Sequence, residues 1–298
     1  MAQKLETRRM GRTEMRPNAL ALGAAWLNSK PDEEVIGAIR RAIELGINYI
    51  DTYPGHREHI WGEALSGGLR EKVYLQAKVG THPERRKDFS ADGTRWSVMN
   101  SLKDMRTDYL DALLIHDPLD MESVLGKGCA LDTLLEMKDE GLIKNIGAGV
   151  RSHDFHKQMI ETGHIDLILT FLDYTLISQS VAKTTLPLAR KHDVGIILAS
   201  PLGMGSLTGK EPNVDEERRR NPDDEPKAHA MWKWCQERNV NIRHLALQFC
   251  LAAPINGVVM FGPADKAQVE DGYAAATADI SEEIWKEFET EFGIRRGM

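Results

Sequence analysis

The chain has 298 residues, 42% of them hydrophobic and 28% charged, a profile that excludes an intrinsically disordered protein. A formal net charge of -7 leaves no basic surplus for phosphates, and no Lys/Arg run is long enough to form a nucleic-acid patch. No apolar run reaches the length of a membrane span, and the opening MAQKLETRRMGRTE lacks the apolar core of a secretory signal, so a cytoplasmic location is expected.

In chain order, ALALGAAW (19–26) reads as a buried strand, and Pro31 followed by three acids opens a helix that Gly46 closes. INYIDT (47–52) is the next strand, followed by the amphipathic EHIWGEAL (58–65). Then come the strand 72–80 and a helix over 94–105. The alternation continues through strands 108–117, 143–150, 165–172, 194–203 and 255–262, with helices over 131–142, 152–163, 181–193 and 266–276 between or after them. The strands are continuous Val/Ile/Leu runs, as expected where helices cover one face and a packed interior the other. Eight strands in this order predict a single (β/α)8 TIM barrel domain spanning 1–298; a doubly wound sheet would need a glycine-rich phosphate loop after its first strand, and ALALGAAWLNSKPDE has none.

The polar, Pro-containing segment 209–227 after the seventh strand is expected to be a mobile loop, either a solvated insertion or a lid over a ligand. Cys129, Cys235 and Cys250 are odd in number and sit in apolar periodic segments, which predicts buried thiols and neither disulfides nor a zinc site.

In a barrel of this kind polar residues at the carboxyl ends of strands are the first place to look for chemistry, and three strands end that way: Asp51, Lys78 and His116. A buried Lys beside a carboxylate offers charge stabilisation, and a neutral His can donate a hydrogen bond to a carbonyl oxygen. Each taken alone also reads as a solvated rim residue or an ion pair. His56, His59, Glu58 and the strand ends lack metal-ligand spacing such as H-E-x-x-H, so no metal is expected. Trp61, Trp96, Trp232 and Trp234 fall on helical segments and are expected to be packing residues.

G-I-N-Y-I-D-T at 46–52, L-Q-A-K at 75–78, L-L-I-H at 113–116 and E-G-L-I-K-N-I-G at 140–147 together resemble the aldo-keto reductase family, over nearly the whole chain. M-G-R-T-E-M near Met10 is similar to that family's amino-terminal hairpin, and P-L-G-M-G-S-L-T-G-K at 201–210 to its seventh-strand loop. The I-H-D-P-L-D run and G-A-G-V look most like the branch of aldose 1-dehydrogenases, galactose dehydrogenases and pyridoxal dehydrogenases.

The resemblance implies hydride transfer between a nicotinamide cofactor and a carbonyl or alcohol of a small polar, sugar-like substrate. A Tyr would act as proton donor, assisted by Lys78, Asp51 and His116. The stretch Asp51-Thr-Tyr-Pro-Gly-His-Arg-Glu58 is shorter than the family pattern, so Tyr53 is the expected proton donor and His56 the rival; His56 and Asp117 are otherwise expected to bind substrate. A phenol of ordinary pKa about 10 needs a cation beside it to act near neutrality, which Lys78 would supply.

For the cofactor the resemblance implies Gly149, Arg151, Ser200, Leu202, Gly203, Gly205, Gly262, Lys266 and Gln268, with departures from the family pattern. Gly149 and Val150 or Arg151 stand where Ser and Asn are usual, Phe171 where Gln is usual, and Ala199 or Ser200 where an aromatic is usual. Ala264 and Gly272 replace an Arg and an Asn. The family default implies NADP(H); the missing Arg leaves NAD(H) open. A non-redox lyase or isomerase on the same barrel, or a binding or regulatory subunit without turnover, stays open on the sequence alone.

Overall fold

The computed structural model describes residues 5–52, 57–213 and 221–297. Its elements alternate as the periodicity predicts: β1 (Leu20–Gly23), α1 (Asp32–Glu44), β2 (Tyr49–Asp51), α2 (Glu58–Ala64), β3 (Tyr74–Val79), α3 (Ala91–Met105) and β4 (Ala112–His116). There follow α4 (Glu122–Leu125), α5 (Ala130–Asp139), β5 (Ile146–Gly149), α6 (His153–Glu161), β6 (Leu167–Phe171), α7 (Thr185–His192) and β7 (Gly195–Ala199). The chain closes with α8 (Asp224–Glu237), α9 (Ile242–Leu251), β8 (Gly257–Phe261), α10 (Lys266–Ala276) and α11 (Glu282–Phe292). All neighbouring strands run parallel, and β8 pairs with β1 to close the barrel, Leu20 facing Val259 and Leu22 facing Phe261.

Side-chain alternation along each strand sorts the apolar residues into two buried sets. Leu20, Leu22, Ile50, Leu75, Ala77, Leu113, Ile115, Ile168 and Val259 point outward to the helices. Ala21, Tyr49, Ala112, Leu114, Leu167, Leu169, Ile197, Val258 and Met260 fill the interior. Gly147 belongs among the inward positions, for a Cβ there would lie 2.3 Å from a Leu114 methyl; large side chains fit because their neighbours are small.

Met10 and Met15 join the interior set from the amino-terminal segment, whose backbone bonds Arg8 N to Pro17 O and Ala19 N to Glu6 O form the expected hairpin. That hairpin plugs the barrel floor. Gly11 makes its turn with φ +53, and a Cβ there would lie 2.1 Å from the backbone nitrogen of Gly195, so the close approach to β7 requires glycine.

Several helix starts carry side-chain caps: Ser90 accepts from Gly93 N, Ser152 from Phe155 N, Asp265 from Gln268 N and Ser281 from Ile284 N. Several expectations are corrected. β1 ends at Gly23 and not at Trp26, because its pairing with β8 stops at Phe261; Trp26 lies beyond it in a turn, against Gly262. Of the expected loop 209–227, residues 214–220 lie outside the described residues, and its last four residues are already helical in α8. Pro226 there sits in the first helical turn, where its missing N–H costs no intrahelical bond. Cys235 and Cys250 are buried as expected, whereas Cys129 is half-buried, preceding α5.

Among the described residues no helix is long and apolar enough to cross a membrane. The Trp61 and Trp234 rings are buried in the helical layer, as packing predicts.

Candidate active site

The parity that fills the interior with apolar groups puts Asp51, Lys78 and His116 on the inward face at the carboxyl ends of β2, β3 and β4. Asp51 and Lys78 are buried, 7% and 4% exposed, and form an ion pair. Lys78 Nζ also donates to the Thr52 carbonyl at 2.8 Å. A second donor to the Asp51 carboxylate is Gln76 Nε2, and Gln76 Oε1 accepts from the Tyr49 hydroxyl at 2.7 Å. A buried carboxylate with both an ammonium and an amide donor meets the condition under which burying charge is tolerable.

Tyr49 and Gln76 lie two residues before Asp51 and Lys78, so strand alternation alone places all four on one face. The sequence reading did not single out Tyr49 or Gln76. Full burial, then the negative charges of Asp51 and Asp111, hold the Tyr49 phenol well above its ordinary pKa, so it is a fixed donor and not an acid.

His116 lies within the electrostatic reach of Lys78. Burial, then the charges of Lys78 and Lys87, lower its imidazole from the ordinary 6.5 to about 3, so the ring is neutral across the physiological range. Asp117 Oδ2 lies 3.6 Å from His116 Nδ1; with the imidazole neutral this contact is not an ion pair. Asp117 is itself pushed upward by burial, sits at φ +44, and its carbonyl accepts from Lys87 Nζ at 2.5 Å. Tyr53 and His56 lie outside the described residues.

A cleft of about 640 Å³ lies between the loop after β7 and the β8–α10 connection. Leu202, Gly205, Gly262 and Gln268, four of the residues proposed from the sequence for the cofactor, line it, together with Lys210, Arg243 and Asp271, which sequence reasoning did not name. Arg243 donates to Asp271 at 2.7 Å and to the Thr208 carbonyl at 3.2 Å, tying α9, α10 and the β7 loop together. No local signal announces this pair, because its members are 28 residues apart on separate helices.

Gly272 stands at the expected Asn position because Phe261 packs there: a Cβ would lie 2.3 Å from its ring. Gln268 Oε1 accepts from Ala264 N at 3.0 Å and so shapes the loop between them.

The remaining expected cofactor residues are dispersed. Gly149 ends β5 beside His116, and a Cβ there would meet the ring at an ordinary 3.7 Å, so its lack of a side chain leaves room next to the imidazole. Arg151 is drawn sideways toward the fully buried Asp173, 3.5 Å away, and its guanidinium lies 5.7 Å from the Phe171 ring centre. Ser200, at φ +59, contacts Met204 Sδ at 3.6 Å. Gly203 packs on Ser206, Ile177 and Leu207, and Lys266 is exposed as the first residue of α10; neither lines the cleft.

The aldo/keto reductase family model matches residues 19–290. The chain belongs to the aldo/keto reductase family. It is 30% identical to an L-galactose dehydrogenase of Arabidopsis thaliana over 289 residues, covering 92% of this chain and 89% of that protein. It is 27% identical to a D-threo-aldose 1-dehydrogenase of Pseudomonas sp, covering 90% and 92%. An aldo-keto reductase from Bacillus halodurans, solved in its holo form, superposes with a TM-score of 0.79 at 21% identity, covering 97% of this chain and 96% of that one.

This aldo/keto reductase is therefore an NAD(P)-dependent oxidoreductase, and hydride transfer between a nicotinamide and a carbonyl or alcohol carbon is its reaction type. The cleft suits such a cofactor on its own chemistry: a glycine-rich wall at Gly205, Gly262 and Gly272, with the Arg243 guanidinium beside it.

Proposed function

We propose that this protein oxidises an alcohol carbon of a small polyhydroxylated molecule, an aldose, with NAD(H) as the preferred cofactor. The observation that carries the reading is the buried Asp51–Lys78 pair beside a neutral His116 at the carboxyl ends of β2, β3 and β4. The names of the two relatives support the substrate class.

When bound, the nicotinamide accepts or returns the hydride. Lys78, held by Asp51 and the Thr52 carbonyl, stabilises negative charge that develops on the substrate oxygen. His116, neutral, donates a hydrogen bond to that oxygen and orients it. Asp117 and His56 bind neighbouring hydroxyls. Tyr53 takes the hydroxyl proton in oxidation and returns it in reduction, so that each turnover moves one hydride and one proton.

Leu202, Gly205, Gly262 and Gln268 would hold the cofactor in the cleft that they line. Asp271 favours NAD(H): its carboxylate lines the cleft and engages Arg243, so a 2′-phosphate would enter against it, while a ribose hydroxyl would find an acceptor. Ala264 in the usual Arg position supports the same choice.

Titration with NADH and NADPH, followed by nicotinamide fluorescence and thermal shift, tests the reading. NADH should bind at least tenfold more tightly. Binding of neither would reject the oxidoreductase site and return the lyase or isomerase alternative; tighter NADPH binding would reject only the role given to Asp271. With cofactor bound, an aldose and polyol panel followed by Tyr53→Phe and His56→Ala assigns the proton acceptor. Undiminished turnover in Tyr53→Phe would move it to His56.

A further inference from the structure

Behind the Asp51–Lys78 pair sits a carboxyl group for which the reaction has no assigned use. Glu58, the first residue of α2, is 2% exposed. Its Oε1 lies 3.0 Å from the Thr52 hydroxyl, and that hydroxyl also lies 3.1 Å from the Gln76 carbonyl. A hydroxyl has one hydrogen. If Glu58 were ionised, the Thr52 hydroxyl could give its one proton to the carboxylate or to the Gln76 carbonyl, which already accepts from Thr52 N at 2.8 Å, but not to both. A proton on Glu58 resolves this: the acid donates to the Thr52 hydroxyl, which donates to Gln76.

The other surroundings act in both senses. The Ser101 hydroxyl, from α3, and that of Thr52 favour the ionised form, whereas burial disfavours it more strongly, and Oε2 is buried without a well-formed hydrogen bond among the described residues. The charged groups that face Glu58 are Asp104 from α3, which disfavours ionisation, and Lys78 from β3, which favours it; Asp51 of β2 lies beyond, bound to Lys78. Arg57, preceding Glu58, engages Asp32 and the Lys30 carbonyl on the α1 side, and His59, following it, is exposed. Burial is the largest influence on the acid and raises it from 4.5 to about 7.

Thr52 links this acid to the site, since its carbonyl holds Lys78 Nζ and its hydroxyl holds Glu58. We propose that Glu58 is a positioning residue for hydride transfer: a neutral buried acid that steadies Thr52 and through it Lys78, and that adds a negative charge behind the Asp51–Lys78 pair when it releases its proton. Only the effect on turnover rests on the oxidoreductase reading. Below the transition the three groups sum to no net charge; above it they carry one negative charge, which strengthens the hold on Lys78 and weakens its effect on a developing oxyanion.

The test uses the full chain labelled with carboxyl-13C glutamate. In the wild type one glutamate resonance should titrate near pH 7, well separated from the others, and it should be missing in Glu58→Gln. The absence of such a resonance in the wild type overturns the proposal, and that measurement needs neither turnover nor a variant that folds. In the pH profile of turnover the wild type should show a several-fold change in kcat with little change in KM across the same midpoint, and Glu58→Gln should lack the step. An identical profile in Glu58→Gln overturns the coupling to Lys78. If no nicotinamide binds, the carboxyl titration still decides the state of Glu58, so failure of the functional reading and failure of this one are distinguishable.

Discussion

Asp51 is held by two donors in a site closed to water, and this sets what its neighbours can tolerate. Lys78→Met should cost about 3–5 kcal/mol, because it leaves a buried carboxylate with only Gln76. Adding Asp51→Asn removes the stranded charge while keeping an acceptor for Gln76, so the double variant should regain roughly half of that loss or more. Urea denaturation of the two variants and the wild type checks this; a double variant less stable than Lys78→Met would show that the pair is not coupled. Both should lack turnover if Lys78 acts as proposed. These residues were legible in the sequence because a barrel strand has no structural reason to end in a polar group that points inward. Gln76 and Tyr49 were equally legible by counting back two, but Gln76 is hidden between Leu75 and Ala77, and Tyr49 reads as an aromatic of the core. Glu58 was not legible, because its burial depends on α3 packing over α2, a contact without local trace.

Loops at the two ends of the barrel differ in how they use backbone strain. Arg57, Lys87, Asp117, Leu172, Ser200 and Met204 all adopt positive φ in segments following β2, β3, β4, β6 and β7, the carboxyl face where the polar strand ends converge. Arg106, Asp193 and Asn239 also have positive φ, but they close α3, α7 and α8 at the opposite face, where a left-handed residue merely ends a helix. Arg106→Gly should therefore raise stability by roughly 0.5–1 kcal/mol and leave turnover unchanged, since its side chain is exposed and glycine adopts this conformation without a Cβ penalty. A melting temperature at or below that of the wild type would contradict it. The eight strands and most of the helices that follow them were predictable, since continuous Val/Ile/Leu runs and amphipathic segments survive any choice of boundaries. The expected strands overran their pairing by several residues because hydrophobicity does not stop where a parallel ladder does. The start of α8 was read as loop because Pro and acids serve equally as turn and first-turn residues.

Across the whole molecule Glu58 and His116 act on stability in opposite senses. Glu58 is raised from 4.5 to about 7, so between those values the native state binds the extra proton and stability falls as pH rises, by up to ~3 kcal/mol. His116 is lowered from 6.5 to about 3, so between those values the unfolded state binds the extra proton and stability falls as pH drops, by about 1.4 kcal/mol per unit well inside the window. Asp117, raised by burial, adds to the Glu58 sense. From about pH 4.5 to 6.5 the two large contributions cancel, which gives a plateau; below it the His116 slope acts alone, and above it the remaining Glu58 slope runs out near pH 7. Single variants should uncover each slope. Relative to wild type, Glu58→Gln should gain stability progressively as pH rises from 4.5 to 7 and hold that gain at higher pH. His116→Gln should gain progressively as pH falls from 6.5. Because each comparison is a difference from the wild type at the same pH, titrations elsewhere in the chain drop out. Chemical denaturation midpoints at half-unit steps from pH 4 to 9 read both curves; a difference curve that stays level for either variant would show that its group keeps an ordinary pKa in the fold.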